Sequence, residues 1–237
     1  MKAIVFATYI SKVEDLWIGE KFLKLFNDYY SDYTIFIGNN SPCDEWINLL
    51  NKSTDNLNIY YKNTDKNLEI DSDASAFETA LSIVKKYKDS YDFFIFMHTK
   101  SVTSGCYDFL DEVTNNFLIK KDYIEEQFLD GSIGSVFPYL GISDKEWINN
   151  CLNTILPETE HSNTGLTSLY TFYAIKGVII KWFLDNVDSY FFELKITDYI
   201  FMYKGHAQNF DRYFFERDFP MIYEKLGYKN KYLKKCY

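Results

Sequence analysis

Two short runs of apolar residues set the tightest limit on what this chain can fold into. Ala3-Ile4-Val5-Phe6-Ala7 and Phe93-Phe94-Ile95-Phe96-Met97 contain no polar residue. A strand with one wet face alternates apolar and polar side chains, so a strand without alternation must be covered on both faces. Segments of helical period separate the two runs. Leu16, Leu23, Phe26 and Tyr30 form one stripe, and Phe77, Ala80, Leu81, Val84 and Tyr87 a clearer one. Tyr33-Thr34-Ile35-Phe36-Ile37-Gly38 reads as a second strand that stops at the turn cluster Asn39-Asn40-Ser41-Pro42. A weaker third strand is expected over Asn58 to Tyr61. Strands alternating with helices predict an α/β fold with a mostly parallel central sheet flanked by helices.

The texture changes after residue 105. Leu110, Val113, Phe117, Ile124 and Phe128 suggest one long helix, ending at the turn Asp130-Gly131. Strands are expected at Ile133 to Phe137 and around Leu169 to Ala174, with a polar excursion over Gly141 to Gly165 between them. The C-terminal part reads as helical, with Pro220 inside or starting the last helix. The Lys229 to Lys235 run reads as a solvated tail that could touch an anionic membrane or another domain. No repeat or low-complexity linker interrupts the 237 residues, so a single domain over 1–237 is expected, in two halves, 1–105 and 106–237.

Charge excludes some partners. With 25 basic and 34 acidic residues the chain carries a formal −9, so no face able to grip a nucleic-acid backbone is expected. Any anionic ligand must be held by a few local cations or by backbone N–H groups. Cys43, Cys106, Cys151 and Cys236 are widely spaced and suggest neither a zinc cage nor a disulfide framework, which fits a reduced, cytoplasmic setting. The apolar start Met1 to Ile10 reads as a core strand rather than a leader. The longest later apolar stretch, Ser168 to Leu184, is cut by Lys176 and Lys181, so no transmembrane segment is expected.

In open α/β sheets, ligands sit at the carboxyl ends of strands near a topological switch point. Four tips qualify: Thr8-Tyr9, Asn39-Asn40, Asp71-Ser72-Asp73 and His98-Thr99-Lys100. In the last, an intensely apolar strand ends in an imidazole, a hydroxyl and an ammonium, a set of donors suited to a diphosphate. A plain polar turn is the alternative. Asp71 and Asp73 precede the clearest helix, and three roles stay open for them: capping that helix, contacting a ribose or base, and holding a divalent cation. No Gly-x-Gly-x-x-Gly follows the first strand, where Ala7-Thr8-Tyr9-Ile10 stands, and there is neither a P-loop nor a Gly-x-Ser-x-Gly elbow.

Asp71-x-Asp73-Ala-Ser-Ala-Phe-Glu-Thr-Ala-Leu81, followed by Tyr91-Asp92-Phe93-Phe94-Ile95-Phe96-Met97-His98-Thr99-Lys100, resembles the glycosyltransferases with an "HTK" motif, of which the rhamnan-synthesis group is the best known. The likeness covers residues 67 to 105 and, more loosely, 1 to 40 and 165 to 228. Ser101 stands where the family usually has glycine. The family's late His-Ala…Glu-Arg helix is matched by His206-Ala207 and Glu216-Arg217.

The resemblance implies a GT-A-like fold with a nucleotide-binding half (1–105) and an acceptor half (106–237). It implies an enzyme of hexosyl- or rhamnosyltransferase type in polysaccharide synthesis, cytoplasmic or peripheral to a membrane. The partners would be a nucleoside-diphosphate sugar and a glycan or other hydroxyl acceptor. Thr8, Tyr9 and Asn39 would read base and ribose, with Asp71 and Asp73, while His98, Thr99 and Lys100 would meet the diphosphate. Glu216, with Asp211 second, would be the base that deprotonates the acceptor. The usual Asp-x-Asp after the fourth strand is replaced by His98-Thr99-Lys100, so a cofactor is not specified. Mn²⁺ or Mg²⁺ remains an option, with His206 or Asp73 as a ligand and His98 as a further one. A GT-A-like binding or accessory module without catalysis is the alternative function.

Overall fold

The computed structural model describes residues 1–64, 72–87, 90–99, 107–142, 146, 166–168, 171–186, 200–203, 206–209, 215 and 219–235. The chain opens with β1 (Lys2–Thr8), α1 (Leu16–Tyr29), β2 (Thr34–Asn39), α2 (Asp44–Ser53) and β3 (Ile59–Asn63). α3 (Ser72–Val84) and β4 (Phe93–His98) follow. β4, β1, β2 and β3 lie side by side in that order, all parallel. The chain runs outward from β1 through β2 to β3, then returns to the other side of β1 as β4. The boundary between β1 and β4 is therefore a topological switch point.

Both faces are dry at β4, β1 and β2, while the edge strand β3 is largely open. Every residue of Ala3–Thr8, β2 and β4 is buried. Alternation sends Ile4 and Phe6 toward α1, where Phe6 packs on Phe22 and Phe26 with ring centroids 4.7 and 5.2 Å apart. It sends Ala3, Val5 and Ala7 toward α3. Their small side chains let that helix lie close.

The rest of the sheet is mixed. After α4 (Tyr107–Val113) and α5 (Lys121–Gln127) come β5 (Ile133–Ile142), β6 (Leu166–Ser168) and β7 (Tyr173–Lys176). β7 is antiparallel to β4 and to β5, and β6 pairs with β5 away from the main path. A helix over Gly177–Asn186 covers the α3 face. β8 (Ile200–Tyr203) and β9 (His206–Asn209) form a separate antiparallel pair. A short helical stretch, Phe219–Met221 then Ile222–Lys225, precedes β10 (Lys229–Lys235).

The α/β class and the sheet flanked by helices agree with the sequence, and four details do not. The expected long helix after residue 105 is broken. α4 gives way to a π-helical turn over Thr114–Leu118 before α5 starts. The Thr114 hydroxyl donates to the Leu110 carbonyl at 2.7 Å, a side-chain competitor to the helical ladder. The strand expected at 169–174 is displaced to Tyr173–Lys176. His206-Ala207 lies in a strand, not in a late helix. The C-terminal part is not all helical, because the lysine-rich run is β10, paired in parallel with β5. Leu233 of that run packs against the core, which is why it joins the sheet.

Candidate functional site

The parallel order brings the tips of β1, β2, β3 and β4 to one edge, where polar side chains replace the apolar runs. Thr8, Asn39, Asn40, Ser41, His98 and Thr99 are all buried there. They fall into two sets with different hydrogen-bond states.

The first set faces α1 and α2 and is saturated. Thr8 Oγ1 donates to Asn39 Oδ1 at 2.7 Å, and Asn39 Nδ2 donates to Asn63 Oδ1 at 2.8 Å. The indole N–H of Trp46, a fully buried α2 residue, is shared between Asn39 Oδ1 (3.1 Å) and Thr8 Oγ1 (3.3 Å). Ser41 closes the turn: its hydroxyl accepts from the Ile10 N–H at 2.8 Å. Thr99 belongs to the same web. Its Oγ1 accepts from the Tyr9 N–H at 2.8 Å and donates to the Tyr9 carbonyl at 3.2 Å, while its own N–H donates to the Ala7 carbonyl at 3.1 Å. These bonds clamp the β1 tip between those of β2 and β4. Buried polar groups that satisfy one another make a rigid frame, because each broken bond leaves an unpaired partner.

The second set faces α3. A Cβ added to Gly38 would lie 1.7 Å from the Ala76 carbonyl oxygen, so the first turns of α3 rest directly on the end of β2. No residue with a side chain fits at position 38 without moving that helix. Ser75, one residue nearer the helix start than Ala76, is 3% exposed, and among the described residues its hydroxyl has no partner. Asn40, two residues beyond Gly38, is also 3% exposed. Its Oδ1 accepts from the Thr64 hydroxyl at 2.5 Å, but its Nδ2 has no partner among the described residues. His98 is buried on the same side, with its ring 6.3 Å from Phe77 of α3 and 5.2 Å from Phe172. Glu78, one turn on from Ser75, is buried as well. A buried donor left unpaired costs about 1–3 kcal/mol, so Ser75 Oγ and Asn40 Nδ2 are the groups at this edge with capacity left for a ligand. The α3 N-terminus adds its partial positive charge at this edge.

The expected site residues therefore divide. Thr8, Asn39 and Thr99 are together at the edge, with their side chains committed to one another. The Tyr9 side chain is buried beside them. His98 is on the α3 side. Asp73 lies in the first turn of α3 and His206 in β9. Asp71, Lys100, Asp211 and Glu216 lie outside the described residues. Asn40, in one of the four expected tips, and Ser75 carry the atoms unpaired among the described residues, though neither is among the expected site residues. Asn40 stands in a turn cluster, and Ser75 among small residues at a helix start. Trp46 is core, as the bulk of an indole suggests, but its N–H also fixes the frame. The one signal for the α3 side was Gly38, the last residue before the turn.

Among the described residues, no three His, Cys, Asp or Glu side chains come together as a metal site. A cavity of about 640 Å³ lies at the other end of the strands, lined among others by Lys2, Phe93, Glu125, Phe128 and Lys176. Its charged groups are engaged: Lys2 pairs with Glu125, and Lys176 donates to the Gly131 carbonyl at 2.7 Å. The start of α3 and the converging tips are at the opposite edge. Compared with known families, the chain matches no family model, and a search of curated proteins returns no match.

Proposed function

We propose that the chain is a glycosyltransferase that moves a sugar from a nucleoside-diphosphate donor to a hydroxyl acceptor, with the donor held at the α3 side of the strand-tip edge. The observation that carries this reading is two buried groups unpaired among the described residues, Ser75 Oγ in the first turn of α3 and Asn40 Nδ2 just past β2, the strand on whose end that helix rests. A nucleotide offers ring, ribose and phosphate oxygens to such donors. The His98-Thr99-Lys100 sequence, which resembles the family motif, supports the choice of chemistry.

In this reading the chain supplies three things. The Thr8–Asn39–Trp46–Thr99 frame fixes the strand tips without spending its own bonds on the ligand. The α3 N-terminus, His98 and Lys100 stabilise negative charge as the diphosphate leaves. Glu216, or else Asp211, accepts the proton of the attacking hydroxyl. The proton passes to the carboxylate, the acceptor oxygen bonds to the anomeric carbon, and the sugar–phosphate bond breaks with its electrons going to the nucleoside diphosphate.

A Lys neutralises a diphosphate directly, whereas carboxylates need a bridging cation to do so. Turnover is therefore expected to persist in EDTA. The test is nucleoside-diphosphate release from a panel of sugar nucleotides, with EDTA and with Mn²⁺. Release in EDTA supports the reading, and release only with added Mn²⁺ overturns the metal-free version. No release from any donor in either condition, with acceptor present, removes the catalytic reading.

A further inference from the structure

Independently of the strand-tip site, we propose that the β10 edge of the sheet is a docking surface for anionic lipid headgroups. β10 is the last strand of the sheet path, and among the described residues no strand pairs with its outer side. Four of its seven residues are lysines, Lys229, Lys231, Lys234 and Lys235, in a chain of net charge −9. The strand is anchored inward: Leu233 packs on the core, and the Asn230 amide donates to the Tyr223 hydroxyl. Lys229, Lys231 and Tyr232 are exposed.

The cationic strip extends around the corner. Lys176 sits over the ring of Tyr228 with its ammonium 5.1 Å from the centroid. Glu224 accepts from the Tyr223 hydroxyl that takes the Asn230 amide, and Asp130 is a second opposing charge nearby. Its carboxylate accepts from the Ser132 N–H and hydroxyl, bonds that hold its pKa below the usual range, with Lys229 and Lys231 adding to the effect. Two acids do not offset the four lysines of the run.

Lysines on a free edge also prevent two sheets from joining edge to edge, and a single lysine suffices for that, as Lys62 on the opposite edge strand β3 illustrates. Four lysines along seven residues, about 23 Å at roughly 3.3 Å per residue, exceed that need. The half-buried Tyr228 and the exposed Tyr232 lie next in sequence to Lys229 and Lys231, a combination suited to a headgroup layer. At physiological salt the acidic residues elsewhere are screened beyond about 8 Å, so the strip meets an anionic surface largely on its own charge. A nucleic-acid partner would need basic residues lining a groove, and a single line along one edge does not supply it.

The test is flotation of the full chain with phosphatidylcholine vesicles, with and without about one-third phosphatidylserine, at low and raised salt. The expected result is salt-sensitive binding only to the anionic vesicles. The double variant Lys229→Gln/Lys231→Gln should weaken binding by on the order of tenfold or more, and Lys62→Gln should leave it unchanged. Hydrogen exchange of the unaltered chain on vesicles should show protection confined to 229–235, a readout that does not depend on how the variants fold. Absence of binding at low salt, equal binding to neutral vesicles, an unaffected double variant that retains its fold, or protection away from β10 would each overturn the proposal. So would binding to a single-stranded RNA oligomer but not to the vesicles.

Discussion

The two sides of the strand-tip edge are built from similar residues and end in opposite states. On the α2 side, Thr8, Asn39, Asn63, Trp46 and Thr99 consume one another's hydrogen-bonding capacity. Toward α3, Ser75 Oγ, and past the end of β2, Asn40 Nδ2, are as deeply buried and are left without partners among the described residues. Burial and polarity alone would mark both sides as sites. Satisfaction separates them: a saturated network has little left to offer a ligand, and an unsaturated one is a standing cost that a ligand can relieve.

Variants on the two sides should therefore respond differently. The largest effect is expected from Trp46→Ala. It removes a fully buried indole and the donor shared by Asn39 and Thr8, and should cost about 3–5 kcal/mol in denaturant unfolding. Asn39→Ala should come next, at about 1–3 kcal/mol, because Thr8, Trp46 and Asn63 each lose a partner. A loss from Asn39→Ala too small to measure would break the claim that this side is a frame.

Ser75→Ala inverts the expectation. Removing a buried hydroxyl without a partner should change stability by less than about 1 kcal/mol, toward higher stability, while weakening nucleotide binding. A loss of stability comparable to that of Asn39→Ala would erase the contrast between the two sides.

The smallest effect serves as a control far from both. The folded-state pKa of Asp130 is lowered by its bonds to Ser132, so its stabilising contribution is present above the unfolded value of about 4 and is lost as pH falls through the folded one. Asp130→Asn keeps the acceptor oxygen and removes the titration. Its stability should vary less with pH in the acid range than that of the unaltered chain, with nucleotide binding unchanged.

The frame was more legible in the sequence than the site. The unbroken apolar runs of β1 and β4 require cover on both faces, and the tips at Thr8, Asn39 and His98 follow from where those runs stop. What periodicity does not reveal is which polar residues pair. Asn39 and Asn40 are identical neighbours, yet one is spent on Trp46, Thr8 and Asn63 and the other keeps a free amide. The partners come from β1, α2, β3 and the residue after β3, segments separate in sequence, so the difference is not written in the pair itself. β10 was misjudged for a related reason. Lysines dominate its composition, while Leu233 and Asn230, which bind it to the sheet, are a minority.

The central claim is that the α3 side receives the ligand, and thermal melts of the unaltered chain, Ser75→Ala and Thr8→Val with a panel of nucleoside diphosphates test it most directly. A ligand that binds the native state raises the melting temperature. The account predicts a rise in the unaltered chain, a smaller rise in Ser75→Ala from an equal or higher starting point, and a full rise in Thr8→Val from a lower one. A rise that survives Ser75→Ala intact but vanishes in Thr8→Val would contradict it, as would no rise with any nucleoside diphosphate, with or without Mn²⁺.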